Sequence, residues 1–130
     1  MTKELFNFNT EYKTLQSLFN AVWHGMAKQG FKQSVGAYSC LYAGPNGLAC
    51  AVGCLVPRKV GEELDTHSFG GVVALFHKGL LRAGPRRLDL LEACQTAHDA
   101  ADSRLPEEMQ RRLRDVAGRF GLSVPGEGVE

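Results

Sequence analysis

The residues of this chain whose types could do nucleophilic or metal chemistry are its four cysteines and four histidines. Cys50 is the first candidate. It follows a run of turn residues and stands where a short helix can begin. The free N–H groups of a helix start favour a thiolate and lower its pKa. His98 would then act as base and Asp99, or another carboxylate, as its orienter, which describes a cysteine-dependent enzyme. Burial is the simpler account. Leu48, Ala49, Ala51 and Val52 flank Cys50, and cysteine packs as a small hydrophobe. Adjacent helical residues do not face each other, so His98 and Asp99 are expected to point apart and form no internal relay. A structural hydrogen bond from His98 near a helix C-terminus is the expectation. No firm catalytic residue emerges, and the reading leans against an enzyme.

Cys40, Cys50 and Cys54 form a C-x9-C-x3-C cluster, with His67, His77 and His98 elsewhere in the chain. This is not the paired C-x2-C knuckle of structural zinc sites. Packed core cysteines explain it, and no cofactor is expected. Tyr42, Gly44, Asn46 and Gly47 are candidates for approach to a ligand, because a glycine-rich turn can aim backbone N–H groups at an anion. Turn formation alone also explains them. Two basic clusters, Lys78, Arg82, Arg86 and Arg87, and then Arg111, Arg112, Arg114 and Arg119, are interleaved with acidic residues. They read as solvated helix faces, with an acidic partner surface as the alternative.

The elements that must position these groups belong to one domain, since 130 residues suffice for one and not for two. Hydrophobic residues make up 44%, enough for a packed core, and the formal net charge is only +1. That balance weighs against a nucleic-acid binder working by phosphate neutralisation. The longest strongly apolar stretch, Leu48 to Pro57, is too short to span a bilayer. The N-terminus has no apolar signal core, so the expected location is the cytosol, with free thiols rather than disulfides.

Met1 to Asn9 reads as a polar leader or short edge element, and Thr10 or Asn9 as a helix cap. Leu15, Leu18, Phe19, Val22, Trp23, Met26 and Ala27 recur at three- and four-residue steps, an amphipathic helix closed by Gly30. Strands at Ser39–Ala43 and Leu48–Cys50, joined by Gly44-Pro45-Asn46-Gly47, predict a β-hairpin over residues 39–50. Residues 51–56 fit a short helix or a continued strand equally well. Val60–Leu64 is a brief acidic segment and 66–71 a loop. A second helix carries Val72, Val73, Leu75, Phe76, Leu80 and Leu81 up to the Gly84-Pro85 break. A third carries Leu88, Leu91, Cys94, Gln95 and His98 on one side. A fourth opens at Pro106 and buries Met109, Leu113, Val116, Ala117 and Phe120. The fold class is therefore α+β, a hairpin packed on about four helices over residues 1–122, with 123–130 a flexible tail.

The run from Cys40 to Pro57, with Tyr42, Gly44-Pro45, Gly47, Cys50-Ala51-Val52-Gly53 and Leu55-Val56-Pro57, resembles a family of small uncharacterised phage- and prophage-encoded proteins. Their pattern is roughly C-x-Y-R-G-P-x-G-x-K-C-A-[IV]-G-x-L-I-P. Gln95-Thr96-Ala97-His98-Asp99 resembles their L-Q-x-I-H-D segment, and the helix ending in Phe120-Gly121-Leu122 their terminal helix. The likeness spans most of residues 12–122. This chain departs from the pattern at Ala43 (Arg in the family), Ala49 (Lys), Cys54 (often Ala) and Arg58-Lys59 (an acidic pair). The resemblance implies a setting rather than a mechanism: a phage accessory protein in the bacterial cytosol. Such a protein is expected to bind and inhibit a host protein or defence complex, CRISPR or nucleotide-signalling. The alternatives are the Cys50–His98 enzyme, a protein that sequesters a small ligand, and a homodimer joined through the second helix.

Overall fold

Thr14 and Ser17 start the main N-terminal helix by exchanging side-chain bonds. The Ser17 N–H donates to Thr14 Oγ1 at 3.0 Å and the Thr14 N–H to Ser17 Oγ at 3.2 Å. This reciprocal cap satisfies two donors that a helix start leaves free. The computed structural model describes residues 4–34, 41–67, 71–102 and 104–126. Among them the elements run β1 (Phe6–Asn7), α1 (Phe8–Glu11), α2 (Leu15–Lys28), α3 (Arg58–Asp65), α4 (Gly71–His77), β2 (Leu81–Arg82), α5 (Pro85–Ala100) and α6 (Pro106–Arg119). None of these helices is long and apolar enough to cross a membrane.

α2 buries Leu18, Phe19, Val22, Trp23 and Met26 of the face its periodicity predicts, whereas Leu15 in the first turn is half-buried and Ala27 in the last turn is exposed. The expected cap lies elsewhere: Asn9 and Thr10 sit inside α1, which Asn7 caps through its side-chain oxygen. At the other end, the chain turns left-handed at Gly30 (φ +71°) and again at Phe31 (φ +56°). Phe31 tolerates that conformation because its N–H bonds the Met26 carbonyl at 2.7 Å and its ring meets Trp23 edge-on at 5.0 Å. The Arg114 guanidinium lies 5.6 Å from the Trp23 ring centre, tying α6 to the same aromatic group. α5 packs on α6, α2 and α4, and Leu90, Leu91, Cys94, Met109 and Leu113 complete the core.

The second predicted helix is shorter than expected. α4 stops at His77, Gly79 turns at φ +79°, and Leu81 enters a parallel pair with β1, in register Phe6 to Leu81 and Asn7 to Arg82. The acidic segment at 60–64 belongs to α3, which starts directly after Pro57.

The predicted hairpin is replaced by something else. Ser39 and Cys40 lie outside the described residues, and residues 41–50 contain no strand. The turn itself is present. Asn46 and Gly47 both have positive φ (59° and 75°), as a tight hairpin turn uses, and the Leu48 N–H bonds the Pro45 carbonyl at 3.1 Å. Pro45 has no N–H for the returning rung, so Gly44 donates to the Leu48 carbonyl instead, at 2.8 Å. Beyond that point the Leu41 N–H bonds the Ser34 carbonyl at 2.9 Å, and the partners of Tyr42, Ala43 and Ala49 are side chains. Ala49 gives its N–H to Gln29 Oε1 (3.0 Å) and its carbonyl accepts from Gln29 Nε2 (2.6 Å). Tyr42 and Ala43 donate to the two oxygens of Asp65, at 2.7 and 3.0 Å. Residues 51–56 resolve as a single helical turn centred on Gly53–Leu55.

Trp23 joins α2, the Phe31 turn and α6, so Trp23→Ala is expected to lower the unfolding free energy in urea by about 3–5 kcal/mol. A loss below about 1 kcal/mol would contradict this packing.

Candidate functional site

The three buried polar residues among those described, Ser34, Gln95 and His98, all belong to one network. The C-terminal turn of α5 builds it. Gln95 and His98 share the core-facing side of α5 with Leu91 and Cys94. His98 is fully buried, and its Nε2 lies 3.0 Å from the Ser34 backbone nitrogen. A backbone N–H can only donate, so Nε2 is the acceptor and the proton sits on Nδ1. Nδ1 meets Asp99 Oδ1 at 2.8 Å, and Gln95 Nε2 donates to the same oxygen at 2.8 Å. Gln95 Oε1 in turn accepts from the Val52 N–H at 3.1 Å. Gln33 closes the helix end, its amide donating to the carbonyls of His98, Asp99 and Ala101 at 2.8–3.0 Å.

His98 and Asp99 therefore do touch, which corrects the expectation that neighbours on a helix point apart. Gln95, one turn earlier, draws the short Asp99 side chain back along the helix, and the imidazole meets it there. The carboxylate–imidazole pair has the orienting half of a triad. The nitrogen that a nucleophile would need is occupied by Ser34.

Cys50 is buried at the start of the 53–55 turn, and its Sγ accepts from the Gly53 N–H at 3.3 Å. Burial pushes its thiol far above the ordinary range, and the backbone bonds from Gly53 and Val52 only partly oppose that. Cys54 is half-buried, and its thiol donates to the Ala51 carbonyl at 3.2 Å. Burial raises the Cys54 and Cys94 thiols to about 12. Cys40, the first member of the cysteine cluster, lies outside the described residues. Among the described residues no three of His, Cys, Asp and Glu are placed to hold a metal ion.

The expected ligand turn divides in two. Tyr42 and Gly44 are buried, whereas Asn46 and Gly47 stand exposed at its tip. Arg58 of α3 braces the turn, donating to the Leu48 carbonyl at 2.9 Å and to the Gly44 carbonyl. Gly53 passes so close to Tyr42 that a Cβ there would lie 2.0 Å from the Tyr42 carbonyl oxygen. Between this loop and the end of α2 runs a groove of about 660 Å³, edged by Lys28, Lys32, Asn46 and Arg58 and floored by Leu48 and Val56. Gln29, Gln33, Ser34 and Asp65, which anchor the loop layer, carry no signal in the sequence. Gln95 does, as an amide on the apolar side of α5. Comparison with protein-family models, curated proteins and solved structures gives no match for this chain.

His98→Ala strands the Ser34 N–H and opens a cavity, and is expected to cost at least about 2 kcal/mol in urea unfolding. A neutral effect would show that the network is not made in solution. The raised thiols fix a second expectation. Unfolded thiols titrate near ~8.5, so the unfolded chain loses protons that the buried thiols keep up to about 12. Stability is then fully present below pH ~8.5 and falls above it, by at most about 1.4 kcal/mol per pH unit per buried thiol. Urea midpoints measured from pH 7 to 10.5 should fall with this sign, and less steeply in Cys94→Ala. An equal slope in that variant would show the Cys94 thiol to be accessible.

Proposed function

We propose that this chain works by binding, and that its target is a host factor of antiviral defence, either a CRISPR complex or a nucleotide-signalling system. The observation that carries the binding half is the occupancy of His98. Both ring nitrogens are engaged, so His98 has no free nitrogen to serve Cys50 as a base, and the Cys50 thiol is itself buried and held protonated. The same bonds give the loop at 41–56 a fixed shape before any partner arrives, and that lowers the ordering cost of association. The setting is supplied by the resemblance of the Cys40–Pro57 run to small phage proteins, with the bacterial cytosol as its location. A homodimer through the second helix has less support. Val72 and Leu75 of α4 are buried, and Leu105 is the one exposed large hydrophobic residue among those described.

Expression of the protein in bacteria carrying an active defence system should raise phage plating efficiency, and Cys50→Ala, if folded, should preserve the effect. No gain against any CRISPR or nucleotide-signalling defence tested would sink the proposed target. Loss of the effect in a folded Cys50→Ala, together with fast alkylation of Cys50 at neutral pH, would return the protein to the cysteine enzymes.

A further inference from the structure

Two grooves among the described residues differ in charge. The groove between α5 and α6, about 730 Å³, sets Asp89, Glu92 and Asp115 against Arg112 and Arg119. The groove beside the 44–48 turn is lined by Lys28, Lys32 and Arg58 and by no carboxylate. A chain with 15 basic and 14 acidic residues thus concentrates three cations and no anion around one concavity.

Those cations are not consumed by the fold. The ammonium groups of Lys28 and Lys32 are exposed and make no ion pair or hydrogen bond among the described residues; Lys32 is held only by its backbone carbonyl, which accepts from Gln29 Nε2 at 2.9 Å. Lys28 stands in the last turn of α2, but the carbonyls there are already capped. The N–H groups of Gln29, Gly30 and Phe31 close on Met26 and Ala27. Arg58 is pinned by two carbonyls and keeps further N–H donors, so its charge is held in place at the groove edge. Asn46 adds an exposed amide on a turn whose backbone is fixed. Between these polar groups the floor is apolar, with Leu48 and Val56, and the volume lies within the range of small-molecule sites, ~300–1,000 Å³.

The geometry points to a binding site in this groove for a small phosphorylated molecule carrying an apolar or ring portion, with a nucleotide as the representative class. The phosphates meet Lys28, Lys32 and Arg58, and the uncharged part lies on Leu48 and Val56. This rests on the proposal that the chain acts by binding, and specifies what the groove takes.

The test is titration of the ¹⁵N-labelled full chain, followed by NMR, with ADP, inorganic pyrophosphate, adenosine and a hexaglutamate peptide. ADP is expected to shift resonances of residues 25–32 and 44–58 saturably, more tightly than pyrophosphate, with adenosine at least about tenfold weaker. The double variant Lys28→Glu, Lys32→Glu, at exposed positions and checked for an unchanged melting temperature, should weaken ADP by about tenfold or more. Binding of ADP that persists unchanged in the double variant, or no binding up to millimolar concentration, overturns the proposal. Hexaglutamate binding as tightly as ADP also overturns it, in favour of an acidic protein segment. The plating assay separates the two proposals. An unsubstituted chain that protects phage but binds no ADP leaves the binding function standing and removes only this site.

Discussion

The bond from the Ser34 N–H to His98 Nε2 is the constraint on which the loop layer depends. A buried backbone donor left without an acceptor costs about 1–3 kcal/mol, and Ser34 is wholly buried. Its acceptor exists only while His98 is neutral with the proton on Nδ1. Asp99 selects that tautomer, Gln95 holds Asp99, and the other end of Gln95 holds Val52. One line of bonds along the last turn of α5 thus places the chain after α2 and the chain around Cys50 together. Every link is satisfied, and no buried side-chain nitrogen or oxygen among the described residues lacks a partner. Complete networks of this kind reinforce themselves, because each bond polarises the next.

The loop at 41–58 is built on a second use of the same device. Peptide groups of an extended segment normally find partners on a neighbouring strand. Here Gln29, Asp65 and Arg58 act as that strand, offering an amide, a carboxylate and a guanidinium at the heights where backbone groups would stand. A polar layer forms on a helical core without a sheet, and its outer side is free to be concave. The charged groove lies beside this loop, with Gln29 and Arg58 among its lining residues.

The helices were legible in the sequence where their burial follows a helical period. α2 and α6 bury most of the residues their spacing names, with Leu15 and Phe120 half-buried and Ala27 exposed at the helix ends, and Pro106 marks a helix start as its chemistry requires. The hairpin pattern misleads because Asn46-Gly47 does make the expected turn, while Pro45 removes a rung and distant side chains take most of the rest. Nothing local to residues 41–50 reveals that Asp65 or Gln29 will compete for those backbone groups. The His98–Asp99 contact was missed for a related reason. Helix geometry alone keeps neighbours apart, and it took Gln95, a turn away, to bring the carboxylate back. Cys50 was rightly seen as flanked by apolar residues, and its burial follows. Its place relative to His98 depended on long-range folding that periodicity cannot carry.

Because the loop is gripped by its peptide groups, its outward side chains do little to hold it. The tip residues Pro45, Asn46 and Gly47 are exposed, and the anchors reach carbonyls and N–H groups that most amino acids share. The residue type is dictated where the backbone needs a special shape or close approach, at the left-handed turn, where Gly44 abuts the Ser34 side chain and where Gly53 passes under Tyr42. The backbone of the loop and its exposed face are therefore nearly separable in heredity. Lineages that keep the gripping side chains can rewrite the exposed face of this loop one position at a time without refounding the fold.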